Sequence, residues 1–169
     1  MADIVDVFEQ HANTLNWRFS YGDKKNRNLL KSNLITDEIY MILDPVTRLR
    51  GFSEFGGTGT VGFTGQFLLV VKSTIDQVYH NQTSEQEFRR RIELQGGTIY
   101  NNSCKDVNEY REGKYTQNIQ PLLNESLVEL ENLINCSDYQ ITNWSIIDVI
   151  DVLDVNCDGV LVTFNVSVL

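Results

Sequence analysis

The residues best suited to chemistry are Asp154-Val155-Asn156-Cys157-Asp158-Gly159, which match the opening D-x-N-x-D-G of a calcium-binding loop. In such a loop the first, third and fifth side chains converge on a hard cation, and a bidentate acid at the twelfth position completes the shell. Here the twelfth position is Asn165, a neutral amide. The flanks of a calcium loop are helices, yet Val160, Val162, Phe164, Val166 and Val168 alternate with Leu161, Thr163, Asn165, Ser167 and Leu169. Apolar residues at every second position mark a half-buried strand. Residues 141–154 are also rich in β-branched side chains, with the same period in Thr142, Trp144, Ile146, Asp148, Ile150 and Val152. Asp, Asn and Gly between two strands are the residues of a tight turn. The segment reads as a long C-terminal β-hairpin, and a calcium-binding interaction module using Asp154–Gly159 is the alternative.

Other reactive side chains are sparse. The two histidines, His11 and His80, lie in no metal-ligand pattern, and no G-x-S-x-G elbow is present. Asp148, Asp151, Asp154 and Asp158 cluster near the hairpin. Acid–base work by a carboxylate pair needs burial or mutual repulsion to tune the two groups. Strand alternation instead puts Asp148 and Asp154 on one face and Asp151 on the other, so solvated acids or an oligomer contact is the reading. No catalytic residue, cofactor or metal ligand is expected, and the chain does not read as an enzyme. A substrate-binding domain would need a concave pocket for which the sequence names no residues.

The three cysteines, Cys104, Cys136 and Cys157, are odd in number and widely spaced, and read as free thiols of a reducing compartment. Six N-x-S/T sequons, at Asn81, Asn101, Asn124, Asn135, Asn143 and Asn165, are compositional in so Asn-rich a chain. The first residues are acidic and lack the basic start and apolar core of a signal peptide, and no run approaches a membrane span. With 23 acids against 14 bases the net charge is −9. That argues against clamping nucleic acid, where Lys and Arg must neutralise phosphates, and against attraction to an anionic membrane.

The elements that must position these residues follow from periodicity. Residues 3–15 form an amphipathic helix with Ile4, Val7, Phe8, His11, Ala12 and Leu15 on one stripe and Asp3 as N-cap. Residues 17–21 alternate as a short strand, and the polar 23–28 is a solvated loop. Residues 39–43 are a buried strand closed by Asp44-Pro45, and residues 66–72 are the strongest buried strand. Ser84-x-x-Glu87 fits a capping box, starting a short helix that ends at Gly96-Gly97. A second helix starts at Pro121 and carries Leu123, Leu127, Leu130 and Ile134 on one stripe, ending near Asn135. The expected fold is a single α+β domain over residues 1–169, with a mainly antiparallel sheet, helices packed on one face and the terminal hairpin.

Two features remain as contact candidates. Residues 51–65 form a Gly-rich segment that also holds Phe52, Phe55 and Phe63. It fits no phosphate-binding pattern and reads as a flexible contact loop. Arg89, Arg90 and Arg91 fan around the short helix as a solvated face or a surface for an acidic partner. Residues 96–118 read as a polar insertion without a clear period.

In this order of elements the chain resembles the tail-terminator (tail-completion) proteins at the neck of tailed bacteriophages. The resemblance rests on the first helix and strand, on Ile39-Tyr40-Met41-Ile42-Leu43-Asp44-Pro45 and Gly65-Gln66-Phe67-Leu68-Leu69-Val70-Val71-Lys72, and on residues 122–134 with the final strand Gly159-Val160-Leu161-Val162-Thr163-Phe164. It implies a virion protein, assembled in the host cytoplasm, forming a sixfold or twelvefold ring with neighbouring connector and tail proteins. DNA would pass through without specific binding. The middle segment 73–118 is longer than a minimal member of that family needs, and the terminal hairpin is long as well. Baseplate wedge proteins are a second resemblance, but their Glu-Pro-Arg turn is replaced here by Ser137-Asp138-Tyr139-Gln140. A cellular scaffold or adaptor is the non-viral reading.

Overall fold

The computed structural model describes residues 2–22, 37–52, 54, 56–73, 114–152 and 157–169. Helix α1 spans Ile4–Thr14, with the Asp3 carboxylate accepting from Val5 N at 3.0 Å as its N-cap. It ends in a Schellman arrangement, in which Trp17 N donates to Ala12 O and Asn16 N to Asn13 O. Asn16 supplies the required left-handed backbone at φ 59°. The chain then reverses into β1 (Arg18–Tyr21), with Ala12 and Trp17 buried together at the corner.

Strands β2 (Ile39–Leu43), β3 (Thr47–Phe52), β4 (Thr58–Lys72), β5 (Tyr139–Val152) and β6 (Cys157–Val168) complete a six-stranded mixed sheet. The order is β1-β2-β4-β6-β5. Only β1 and β2 run parallel. The centre is β4, long enough at 15 residues to hold two neighbours on one side, β2 along Phe67–Val71 and β3 along Thr58–Thr64. Strand β6 lies on its other side and carries β5 as the outer strand of the terminal hairpin.

The alternation expected in β6 is present, with Val160, Val162, Phe164 and Val166 buried. The larger core cluster joins them to Met41, Leu43, Phe67 and Leu69, to Ile4, Phe8 and Ala12 of α1, and to Leu127, Leu130 and Ile134. Intervening residues Tyr40, Ile42, Leu68 and Val70 form a smaller cluster with Cys157. Ring contacts centre on Phe67, whose centroid lies 5.6 Å from Phe8, 5.5 Å from Trp144 and 6.2 Å from Phe164.

Two expectations about loops are corrected. The Gly-rich segment 51–65 is the end of β3, a short connection and the first half of β4. Its glycines let strands approach closely: a Cβ at Gly62 would sit 2.8 Å from the Val166 carbonyl oxygen. The register shifts between Leu49 and Arg50, leaving Val61 as an extra residue on β4. Second, residues 114–118 of the expected polar insertion are helical. Two π-helical stretches, Tyr115–Ile119 and Leu122–Ser126, lead into helix α2 (Leu127–Asn135), so Pro121 lies within the helical run. The rest of 96–118, the loop 23–28 and the short helix expected after Ser84 lie outside the described residues.

Candidate functional site

The Asp158 side chain lies where helix run, β4 and β6 meet. Strand β6 places it opposite Val71, and the side chain is fully buried. Lys114, also fully buried, donates through Nζ to Asp158 Oδ1 at 2.8 Å and Oδ2 at 3.0 Å. Asn118, one helical turn on, donates through Nδ2 to Asp158 Oδ2 at 2.6 Å and to Ser73 Oγ at 2.9 Å. Four side chains from the end of β4, the helical run and the start of β6 thus form one polar knot in an apolar setting.

This corrects the sequence view of Asp158 as a solvated acid, because its side chain is fully buried. Both of its oxygens are held by nitrogen donors, and residues 157–159 belong to a strand. An ammonium takes the place that a cation would need. The neighbouring Cys157 thiol is pushed up to about 11, first by burial and then by the Asp158 carboxylate, so it stays protonated and inert. Cys136 is also free and lies exposed. Among the described residues no three His, Cys, Asp or Glu side chains converge as a metal site. Sequence reasoning missed Lys114 and Asn118 because nothing local ties Lys114 to an acid 44 positions away.

Clefts lie on the surface of the described residues. A cleft of about 440 Å³ lies over Asp44, Pro45, Thr47, Thr64, Gly65, Gln66 and Thr163. Among its lining residues the one charged side chain is Asp44, which accepts from Gln66 Nε2 at 2.6 Å. Another of about 330 Å³ lies beside Asp37, Lys72, Asn118 and Glu125. Asp148 stands exposed on β5, while Asp154 and the Asp151 side chain lie outside the description.

The contact candidates divide. Phe52 ends β3 and is 81% exposed. Phe63 is a correction: it is 4% exposed and packs edge-on against Tyr139 with centroids 5.7 Å apart, because its place in β4 points it into the core. Phe55, Arg89, Arg90 and Arg91 lie outside the described residues. The apolar surface that sequence reasoning missed is the outer strand β5, where Ile146, Ile147 and Ile150 are exposed, Ile147 at 58%. Leu49 and Val61 are likewise exposed near the β3–β4 connection. Among the described residues β3 and β5 each have one strand neighbour, so each leaves a row of backbone donors and acceptors open.

No protein-family model matches this chain, and no curated protein matches it. No helix among the described residues is long and apolar enough to cross a membrane.

Proposed function

We propose that this chain is a virion structural protein that forms a homo-oligomeric ring at the phage neck, ending the tail and joining it to the head connector. The observation that carries the reading is the outer strand β5, which among the described residues leaves one edge unpaired and exposes Ile146, Ile147 and Ile150, a surface suited to a partner. In this reading the helices pack on one face of the sheet, which leaves its edges free for ring contacts. The larger core cluster supports that arrangement, since both helices join the same alternate residues of β2, β4 and β6. Among the described residues the most buried acid, Asp158, is held by Lys114 and Asn118, which favours a structural role over catalysis. A net charge of −9 suits a ring through which DNA slides without sticking.

The test is the native mass of the purified protein by light scattering, with micrographs of the same peak. A six- or twelve-subunit ring, or a monomer that forms rings only on added tail tubes, supports the neck role. A strict monomer that ignores tubes overturns it.

A further inference from the structure

We infer that the contact between copies is an antiparallel strand addition, with β3 of one copy beside β5 of the next and Arg50 against Asp148. This rests on the ring reading above and names the surface that builds the ring. Strand β5 carries Asp148 and Asp151 and no basic residue, whereas β3 carries Arg48 and Arg50 and no acid. Arg48 is already neutralised by a forked contact to Asp3, from Nη2 at 2.9 Å and Nε at 3.1 Å. Arg50 is exposed and, among the described residues, has no ion pair.

The faces match as well. Directly opposed residues in an antiparallel pair point to the same side of the sheet. Arg48 opposes Phe63, and Asp148 opposes Val160. Phe63 and Val160 belong to the larger core cluster, so Arg48 and Asp148 share that side, and Arg50, two residues on, returns to it. Leu49 and Ile147 oppose Gly62 and Leu161 on the other side. A sheet continued from copy to copy therefore sets Arg50 by Asp148 on one face and exposed Leu49 by exposed Ile147 on the other.

Strand direction agrees. Strand β5 runs with β4 and β3 runs against it, so neighbours related by rotation about an axis along the strands meet antiparallel. The alternatives are weaker. A two-fold β5–β5 contact brings together two strands that carry acids and no base, and β3–β3 two that carry bases and no acid, both like-charged. Strand β1 offers four residues, and its Arg18 is already held by Glu38 at 3.0 and 3.2 Å. Two different edges that fit each other, but not themselves, make a head-to-tail contact, the kind that closes a ring.

The experiment reverses each charge alone and both together, following native mass against concentration, with and without tail tubes. Arg50→Glu and Asp148→Lys are each expected to raise the subunit dissociation concentration at least about tenfold. The double variant is expected to restore assembly. Thermal melts confirm that each variant folds, since both positions are exposed. Hydrogen exchange on the unaltered protein gives an independent readout: on assembly, amides in 47–52 and 139–152 should slow together. Single reversals without effect, a double variant no better than the singles, or protection at 18–21 instead of 47–52 overturn the β3–β5 contact and leave the ring standing. An unaltered protein that stays monomeric with tubes present overturns both.

Discussion

Two ion pairs of almost equal length sit at opposite ends of the sheet. Lys114 meets Asp158 at 2.8 Å, and Arg48 meets Asp3 at 2.9 Å. The first pair is sealed from solvent, while the second leaves 44% of the arginine and 36% of the aspartate side chain exposed. Distance alone would rank them equal. Burial separates them, because an ion out of water depends on its partner whereas an ion in water can exchange its partner for solvent. The buried pair joins the helical run to β6, and through Asn118 and Ser73 also reaches the end of β4, but the exposed one ties a helix N-terminus to a strand beside it.

The sharpest way to break the comparison is Asp158→Ala, which leaves the Lys114 ammonium buried without the carboxylate. A loss of about 3–5 kcal/mol in urea unfolding is expected. Joining Lys114→Met to Asp158→Asn should recover at least half, since neither partner of the buried pair then carries a charge. Recovery of nothing would mean that shape, not charge, governs the site. Alkylation reports the same event: in the parent Cys136 reacts and Cys157 does not, and in Asp158→Ala Cys157 becomes reactive.

Glycines beside the two pairs extend the contrast. A Cβ at Gly159 would fall 1.9 Å from the Leu69 carbonyl oxygen, so Gly159→Ala must part β4 from β6 at a cost of about 3 kcal/mol. Gly59, near the exposed end, has nothing within 4 Å, and Gly59→Ala should stay within about 0.5 kcal/mol of the parent. Thermal melts of the two variants side by side check this.

At the exposed pair, Asp3→Ala should cost about 1 kcal/mol through loss of the cap to Val5 N. Asp3→Asn retains a capping oxygen and should cost far less. Arg48→Ala should give a small change in melting temperature that shrinks as salt is raised. A salt-independent loss would place Arg48 with the buried class.

The smallest effect concerns His11, whose Nε2 is buried without a hydrogen-bond partner among the described residues. Burial lowers its ionisation below the ordinary 6.5, so the folded state favours the neutral ring. Stability from this source is present above 6.5 and is lost as pH falls through the lower folded value. His11→Gln should flatten the melting temperature between neutral and mildly acidic pH, and an unchanged slope would assign the dependence to other groups.

Periodicity made some elements legible and chemistry at a distance made others illegible. The alternation from Val160 to Val166 marks β6 because that strand is buried on one side only. The α1 stripe and the Leu127, Leu130, Ile134 stripe were legible for the same reason. The first half of β4 was not, because Gly59, Gly62 and Gly65 replace the side chains that would show a period. The helical start at 114–118 was hidden by its polar residues, whose partners Ser73 and Asp158 come from distant strands. The parallel β1–β2 pairing and the open side of β5 depend on strand order, which local pattern does not carry. Of the contact candidates, Phe52 was legible as an exposed residue, and Phe63 was misplaced because aromatics near glycines look like loop residues.

The position of β6 has a consequence for how the chain acquires its structure. This strand, at 157–168, fills the slot between β4 and β5, pairing Gly62 with Ser167 and Lys72 with Cys157. Helix α1 is also fastened late, by the Tyr139 hydroxyl donating to the Ala2 carbonyl. Contacts so distant in sequence close slowly, on a scale of milliseconds to seconds. While the polypeptide is being made, Phe67, Leu69 and their neighbours on β4 wait with one edge open, in a state prone to sticking to other nascent chains. The centre of this sheet therefore cannot be closed until residues 157–168 have been made and have reached β4.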